Sequence, residues 1–222
     1  SDILGAWSSS GIRYMDLLVR QLKLDAKDSS ISLSCFNLLD NYISSAPESI
    51  ALSLRSPAFR AIIAEAFQIV KDKSASGVSV AATDANFASA CLHTLTTCLD
   101  SRITVVDPKG ESENWKALQD FVLSCGHGSG IDAIDVGLCD ESLQLLLSLR
   151  QRQISRNDQD YFEASSRFLP IVASLAFGGF GKSTVYKSDW SNASVLLQSK
   201  ATHLVKTCLG FLAVELQYAT TK

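Results

Sequence analysis

The residues best suited to chemistry are gathered in one glycine-rich segment near residue 180. Residues 176–184 read Ala-Phe-Gly-Gly-Phe-Gly-Lys-Ser-Thr, so that three glycines precede a lysine and two hydroxyl side chains. Glycine lets a ligand approach the backbone N–H groups closely, and Lys182, Ser183 and Thr184 add a cation and two hydroxyl groups. These residue types in this order would suit the binding of a phosphate group.

This segment resembles the phosphate-binding loop of signal-transducing nucleotide-binding ATPases, which has the pattern Gly-Gly-x-Gly-Lys-Ser/Thr. The resemblance implies that backbone N–H groups near Gly181 would hold phosphates and that Lys182 would contact the β- and γ-phosphates. The hydroxyl group of Ser183 or Thr184 would then bind Mg²⁺. On this alternative the chain is a nucleotide-binding switch built on residues 176–184.

The surroundings of the segment fit a phosphate-binding loop only in part. Ala176 stands where the first glycine usually lies, and residues 184–190 are polar and broken where a helix should start at once. Residues 171–175 could form the preceding strand. A strand ending in aspartate is needed after the loop to hold the metal, yet the one such run, residues 103–107, comes before it. We therefore favour a glycine-rich loop between two helices.

Two Cys-x-His pairs come closest to a metal site. Cys91 precedes His93 by two positions, and Cys125 precedes His127 in the same way. On a helix this spacing directs the two side chains about 200° apart, and zinc sites usually place about two to four residues between their cysteines. The pairs therefore predict buried cysteines beside ordinary histidines, and His203 is expected on the solvent side of its helix. The sequence predicts no metal, no cofactor, no small-molecule substrate and no enzyme activity.

Composition indicates a chain with ample material for a core and no basic surface. Of the 222 residues 46% are hydrophobic and 19% charged, with a formal net charge of −3 and a pI near 5.6. This balance gives no basic surface for nucleic acid, and the densest cationic run, Arg150, Arg152 and Arg156, is interpreted as a solvated helix end. The most apolar run, residues 204–216, is shorter than the roughly 20 residues that span a bilayer, so no membrane insertion is expected.

The start of the chain and its cysteines bear on origin and compartment. The sequence begins with Ser1 rather than methionine, and we expect a piece of a longer protein forming one domain over residues 1–222. Six cysteines are few for a secreted disulfide scaffold. Several of them lie on apolar helical stripes, where cysteine behaves as a small core residue. These features favour an intracellular protein, cytoplasmic or nuclear.

Apolar residues recur with the helical period along almost the whole chain. Ser56-Pro57 is a strong helix start, because a capping hydroxyl precedes a proline at the first helical position. Thr83 or Asp84 is expected to cap the helix after that one, residues 103–106 are strand-like, and the glycine-rich stretch 126–138 is a candidate hinge. The pattern predicts helices over residues 12–24, 31–43, 57–73, 83–99, 115–125, 143–149, 161–175 and 191–218.

Each pair of these helices takes roughly 35 to 45 residues, the length of a HEAT or armadillo unit. The chain resembles HEAT- or armadillo-like α-solenoids, such as those of large transport and nuclear-pore scaffolds, in this architecture alone. The resemblance implies an all-α fold of stacked antiparallel helical hairpins, and a compact irregular helical bundle stays open as an alternative. It also implies a non-catalytic scaffold or interaction module with protein partners in a larger assembly.

Four apolar residues are the candidate contacts for such partners. Tryptophan is common at binding hot spots, and Trp7 and Trp190 lie in segments without a helical pattern, whereas Trp115 is expected in the core. The last helix is apolar around nearly its whole circumference from residue 204 onward, which is typical of a helix buried on every side. We therefore expect Phe211 or Leu212 to form an exposed apolar patch that packs against a further repeat or a partner chain.

Overall fold

The computed structural model describes residues 29–45, 54–75, 80–103, 112–126, 133–156, 167–177 and 195–221, together with residues 17, 51 and 105. These residues form seven helices and no strand, which confirms the all-α prediction. The predicted helix at residues 12–24 lies outside this part of the chain except for Leu17. The helices are α1 Ser29–Ser45, α2 Pro57–Ser74, α3 Ala82–Asp100, α4 Ser112–Gly126, α5 Ala133–Arg156, α6 Phe168–Phe177 and α7 Val195–Thr221.

Local sequence explains where several of these helices begin and end. Ser56 caps α2 by accepting a hydrogen bond from the backbone N–H of Phe59 at 3.3 Å, with proline at the first helical position as predicted. α3 ends in a Schellman motif, in which the N–H of Ile103 donates to the carbonyl of Cys98 at 2.8 Å. Arg102 occupies the left-handed position of that motif with φ 62°, where glycine is the usual residue.

The helices form two layers of stacked hairpins. In one layer α1 packs on α3, α3 on α5 and α5 on α7. In the other layer α2 packs on α4 and α4 on α6. The layers are joined by contacts between successive helices, α2 with α3, α4 with α5 and α6 with α7. This pattern of contacts is the one predicted for stacked helical hairpins.

Specific contacts give the directions of the helices. Gly137 of α5 lies beside Lys200 of α7, and thirteen positions further along α5 Arg150 binds Glu215 of α7. Residue numbers rise together on both helices, so α5 and α7 run parallel. Within hairpins the order is reversed, since Phe168 at the start of α6 stacks edge-on against Phe211 in the second half of α7, at 5.5 Å between ring centroids. Phe36 and Asp40 of α1 meet Phe87 and His93 of α3 in rising order. Ser89 and His93 of α3 meet Gly137 and Glu141 of α5 in the same way, so α1, α3, α5 and α7 are parallel.

The core lies between the two layers and is built from the apolar faces that the sequence indicates. Trp115 is fully buried and stacks edge-on against Phe67 at 5.7 Å between centroids, which joins α4 to α2 and confirms its core role. Phe36 and Phe87 join α1 to α3 in the same way at 5.6 Å. The described cysteines are all buried, as predicted for core cysteines: Cys35, Cys91, Cys98, Cys125, Cys139 and Cys208.

Some boundaries differ from those predicted. Residues 133–138 belong to α5, so the candidate hinge at 126–138 cannot extend that far. The helix predicted over residues 143–149 begins ten residues earlier, at Ala133, and ends at Arg156. Ala81 rather than Thr83 or Asp84 precedes α3, and its methyl side chain makes no capping hydrogen bond. Ile103 and Val105, from the strand-like run, are buried without forming a strand because they pack into the helical core.

Candidate functional site

A row of acidic and histidine side chains crosses the layer of parallel helices. His93 of α3 lies between two carboxylates, with its Nδ1 3.1 Å from Oε2 of Glu141 on α5 and its Nε2 4.0 Å from Oδ2 of Asp40 on α1. On the next helix pair, Nδ1 of His203 lies 2.7 Å from Oδ2 of Asp140. We call these five residues the polar row. It links all four helices of the layer through side chains that are far apart in sequence.

The electrostatics of His93 are dominated by Glu141. The hydrogen bond from the ring to this carboxylate, helped by the charges of Glu141, Asp40 and Asp140, raises the pKa of His93 from 6.5 to about 9, although partial burial acts in the opposite direction. At neutral pH the ring is therefore protonated and acts as a cation between helices. A protonated imidazole cannot accept a proton, so His93 is poorly suited to be a general base.

Asp140 is the member of the polar row with the most hydrogen-bonding partners. Its carboxylate accepts a hydrogen bond from the Thr207 hydroxyl at 2.6 Å and one from the Gln144 amide at 3.1 Å, in addition to its contact with His203. Burial raises the pKa of Asp40, at the other end of the row, above its ordinary value. Most contacts of the row cross helix boundaries, so the row favours one arrangement of the helices, although Oδ1 of Asp40 is buried without a hydrogen-bond partner among the described residues.

The cysteine thiols show no activation for chemistry. Burial is the largest cause that raises the pKa of Cys91 and of Cys98, and it raises the pKa of Cys208 to about 12. The pKa of Cys139 is raised as well, first by its hydrogen bond with Cys125 and then by burial. A nucleophilic cysteine needs a lowered pKa. The described residues also contain no group of three or more His, Cys, Asp or Glu side chains placed to hold a metal ion.

A second polar cluster lies at the far end of α5 and α7. Arg150 binds Glu215 through two hydrogen bonds, Nε to Oε1 at 2.6 Å and Nη2 to Oε2 at 3.0 Å. Its guanidinium also lies 4.0 Å from the ring centroid of Tyr218 and donates to Gln153 at 3.1 Å. The prediction of a solvated helix end is therefore wrong for Arg150, because its side chain is only 5% exposed.

The two residues predicted to contact a partner on the last helix differ in their burial. Phe211 is fully buried against Phe168, so the expectation of an exposed patch at Phe211 is wrong: its ring completes the α6–α7 hairpin. Leu212 is half-buried at the edge of the core. The exposed apolar residues of α7 are instead Leu209 and Leu216, at 44% and 69% exposure. The sequence shows that α7 is apolar all round but does not show which side its neighbours leave open.

The helical period places Leu209, Leu212 and Leu216 on one side of α7, at spacings of three and four residues. This side is opposite to the one that carries Thr207 and Gly210 against α5. We call these three residues the leucine stripe. Among the described helices α7 is an outer member of its layer. Leu209 and Leu216 of the stripe are exposed, whereas Leu212 packs against the edge of the core.

Other candidate residues lie outside the described part of the chain. These are Trp7, Trp190, His127 and the four nucleotide-binding candidates Gly181, Lys182, Ser183 and Thr184. The segment just before the phosphate-binding candidate is described, however. Residues 171–175, which would have to be a strand, lie in helix α6, so that part of the interpretation is wrong. Apolar side chains at Val172 and Leu175 instead pack into the helical core.

Comparison with known proteins adds no relative. No protein-family model matches the chain, and neither the curated proteins nor the solved structures give a match. Among the described helices, none is long and apolar enough to cross a membrane. Function is therefore inferred from the surfaces and the polar contacts of the fold.

Sequence patterns did not reveal the polar row. Its pairs join residues 48 to 63 positions apart, such as His93 with Glu141 and His203 with Asp140. No local spacing marks such partners. The one available signal was that two of the three histidines stand on helices whose other residues are largely apolar or small.

Proposed function

We propose that this chain is a non-catalytic helical scaffold that binds protein partners inside a larger intracellular assembly. The transport and nuclear-pore scaffolds, to which its helical pattern is similar, are the class of assembly that we favour. The observation that carries the proposal is the leucine stripe, which places two exposed leucines, Leu209 and Leu216, on an outer helix of the layer. Scattered exposed leucines are ordinary, whereas an aligned stripe on an uncovered helix is typical of an interaction surface.

The use of polar residues supports the same proposal. In an enzyme, histidines and carboxylates would be aimed at a substrate. Here the residues of the polar row form their hydrogen bonds with neighbouring helices, and His93 is protonated at neutral pH. Burial raises the pKa of Cys91, Cys98 and Cys208, so these thiols also keep their protons. Shape and apolar surface are thus the features that the described residues offer to another molecule.

Differential capture of partner proteins tests the proposal. The purified chain is immobilised and exposed to an extract of its own cells, in parallel with Leu209→Glu/Leu216→Glu and with Ser199→Glu. Ser199 is exposed on the same helix but away from the leucine stripe, so its variant is the matched control. We expect proteins retained by the wild type and by the control to be lost from the double variant. Retention that is equal for all three chains would contradict the proposal.

The nucleotide switch is the alternative, and its motif at residues 176–184 makes it testable. A phosphate-binding loop follows a β-strand, but α6 is helical up to Phe177. We expect titration calorimetry with ATP and Mg²⁺ to give no saturable heat. Lys182→Ala should leave the fold unchanged. Saturable binding to the wild type that disappears in Lys182→Ala would establish the switch instead.

A further inference from the structure

The two outer helices of the parallel layer expose apolar residues with the same spacing. On α7 these are Leu209 and Leu216, seven residues apart. On α1 they are Ile31 and Leu38, also seven residues apart and exposed to 40% and 47%. Seven residues are two helical turns, so each pair lies on one side of its helix. The layer therefore has an apolar stripe at each of its two outer helices.

Each stripe points away from the layer. α1 packs on α3 through Phe36 and through Asp40, which faces His93. The helical period puts Ile31 and Leu38 roughly opposite to these two residues. The leucine stripe on α7 is likewise opposite to the side that meets α5. One stripe thus faces outward at the α1 edge and the other at the α7 edge.

We propose that these two edges bind each other between copies of this chain, so that α1 of one copy packs beside α7 of the next. Helices α1, α3, α5 and α7 are parallel, and a copy added by simple translation along the stack keeps that direction. Its α1 would then meet α7 in the way that α7 meets α5. The contact continues the interface type that already joins α1 to α3, α3 to α5 and α5 to α7.

The charges on the two edges permit this contact. The exposed residues of α1 are uncharged throughout the described helix, and Asp40, its one acidic residue, faces α3. The outer side of α7 carries Lys206 as its only full charge within three residues of Leu209 on either side. No like charges are brought together, and the two apolar stripes would cover each other.

The contact joins different surfaces, so it is a head-to-tail association that does not close on itself. It consists of one helix pair, which is smaller than the roughly 1,200–2,000 Å² that stable interfaces bury. We therefore expect reversible self-association in the micromolar-to-millimolar range rather than a permanent dimer. A protein partner on the leucine stripe would compete with it, because both use α7.

Sedimentation velocity with edge variants tests the geometry. Leu38→Glu blocks the α1 edge and leaves α7 open, whereas Leu216→Glu does the reverse. Both residues are exposed, so both variants should keep the wild-type circular dichroism spectrum and Tm. We expect the wild type and Ser199→Glu to gain average mass with concentration beyond that of a dimer. Each edge variant alone should stay monomeric, and an equal mixture of the two should form a dimer and stop there.

Three results would overturn the proposal. The wild type could stay monomeric over the whole concentration range. Leu38→Glu alone could still dimerise, which would mean that α7 pairs with α7 of another copy. The mixture could stay monomeric while the wild type associates, which would place the contact elsewhere. Because the measurement uses purified protein alone, its failure leaves the proposed scaffold function untouched, and the capture experiment tests that function separately.

Discussion

The ion pair between Arg150 and Glu215 gives a sharp test of how α5 is held against α7. Their side chains are only 5% and 10% exposed, so water screens the pair little. Removing Glu215 with Glu215→Ala leaves a buried guanidinium without its counter-ion. Breaking a buried pair in this way typically costs about 3–5 kcal/mol. Arg150 keeps its contacts with Gln153 and Tyr218, so we expect a loss near 3 kcal/mol, at the lower end of that range.

The double variant separates the charge from the packing. Arg150→Met/Glu215→Met removes both charges and fills the space with apolar side chains of similar length. Replacement of a buried pair by apolar residues is often neutral or stabilising, so we expect the double variant to lie within about 1 kcal/mol of the wild type. The partly exposed pair of Lys73 and Asp135 is the matched control. Its side chains are 14% and 20% exposed, so solvent screens this pair more, and Asp135→Ala should cost less than Glu215→Ala.

Urea unfolding followed by circular dichroism measures these differences as shifts in midpoint at constant slope. A loss below about 1 kcal/mol for Glu215→Ala would mean that water reaches Arg150 and would refute the argument from burial. If the double variant were as unstable as Glu215→Ala, the pair would contribute to the free energy of unfolding through its geometry rather than through charge balance.

Three further predictions concern local features. Stability conferred by His93 relative to His93→Gln should be fully present below pH 6.5 and lost as pH rises through about 9, because Glu141 raises the folded-state pKa above the ordinary value. Half exposure limits this effect to about 1 kcal/mol, measured as urea stability across that pH range. Arg102→Gly should raise the free energy of unfolding by about 1 kcal/mol and increase Tm, because φ 62° strains any residue except glycine. Gly137→Ala should raise Tm through helix propensity, since its new methyl group would meet nothing closer than 3.6 Å, whereas Gly126→Ala should lower it by clashing with Ile171.

The buried faces of the helices could be predicted from sequence because burial follows the helical period. The apolar residues Phe59, Ile62 and Phe67 recur with the helical period within the helix predicted over residues 57–73, and all three are buried. The start of α5 could not be found in that way. Val136, Leu138 and Cys139 are buried on different sides of a helix that is surrounded by α3, α4 and α7, so no single apolar stripe appears. Asp135 and Gly137, which look like loop residues, flank Val136 on either side.

The surfaces were harder to predict than the core for a related reason. From residue 204 onward α7 is apolar on most sides, and sequence gives no order among these sides. The packing of α5 and α6 determines which side of α7 is exposed, because these helices cover Phe211 and Cys208 and leave Leu209 and Leu216 exposed. The exposure of the apolar residues of α7 thus depends on how the neighbouring helices pack, and the sequence of α7 alone does not determine it.

The polar row favours one alignment of neighbouring helices along their axes, a preference that the leucine-rich faces do not provide. Apolar faces with similar spacing can pack against each other with a shift of one helical turn at little loss of burial. Such a shift between α5 and α7 would separate Asp140 from Thr207 and His203 and leave a buried carboxylate without its partners. Leaving a buried charge unpaired is strongly destabilising, whereas the apolar contacts are interchangeable. A shift between α3 and its neighbours would also separate His93 from Asp40 and Glu141, at a smaller cost because the His93 side chain is 49% exposed. The histidines and carboxylates of the polar row therefore favour one alignment of the parallel helices, and Asp140 is the member whose burial makes that preference strong.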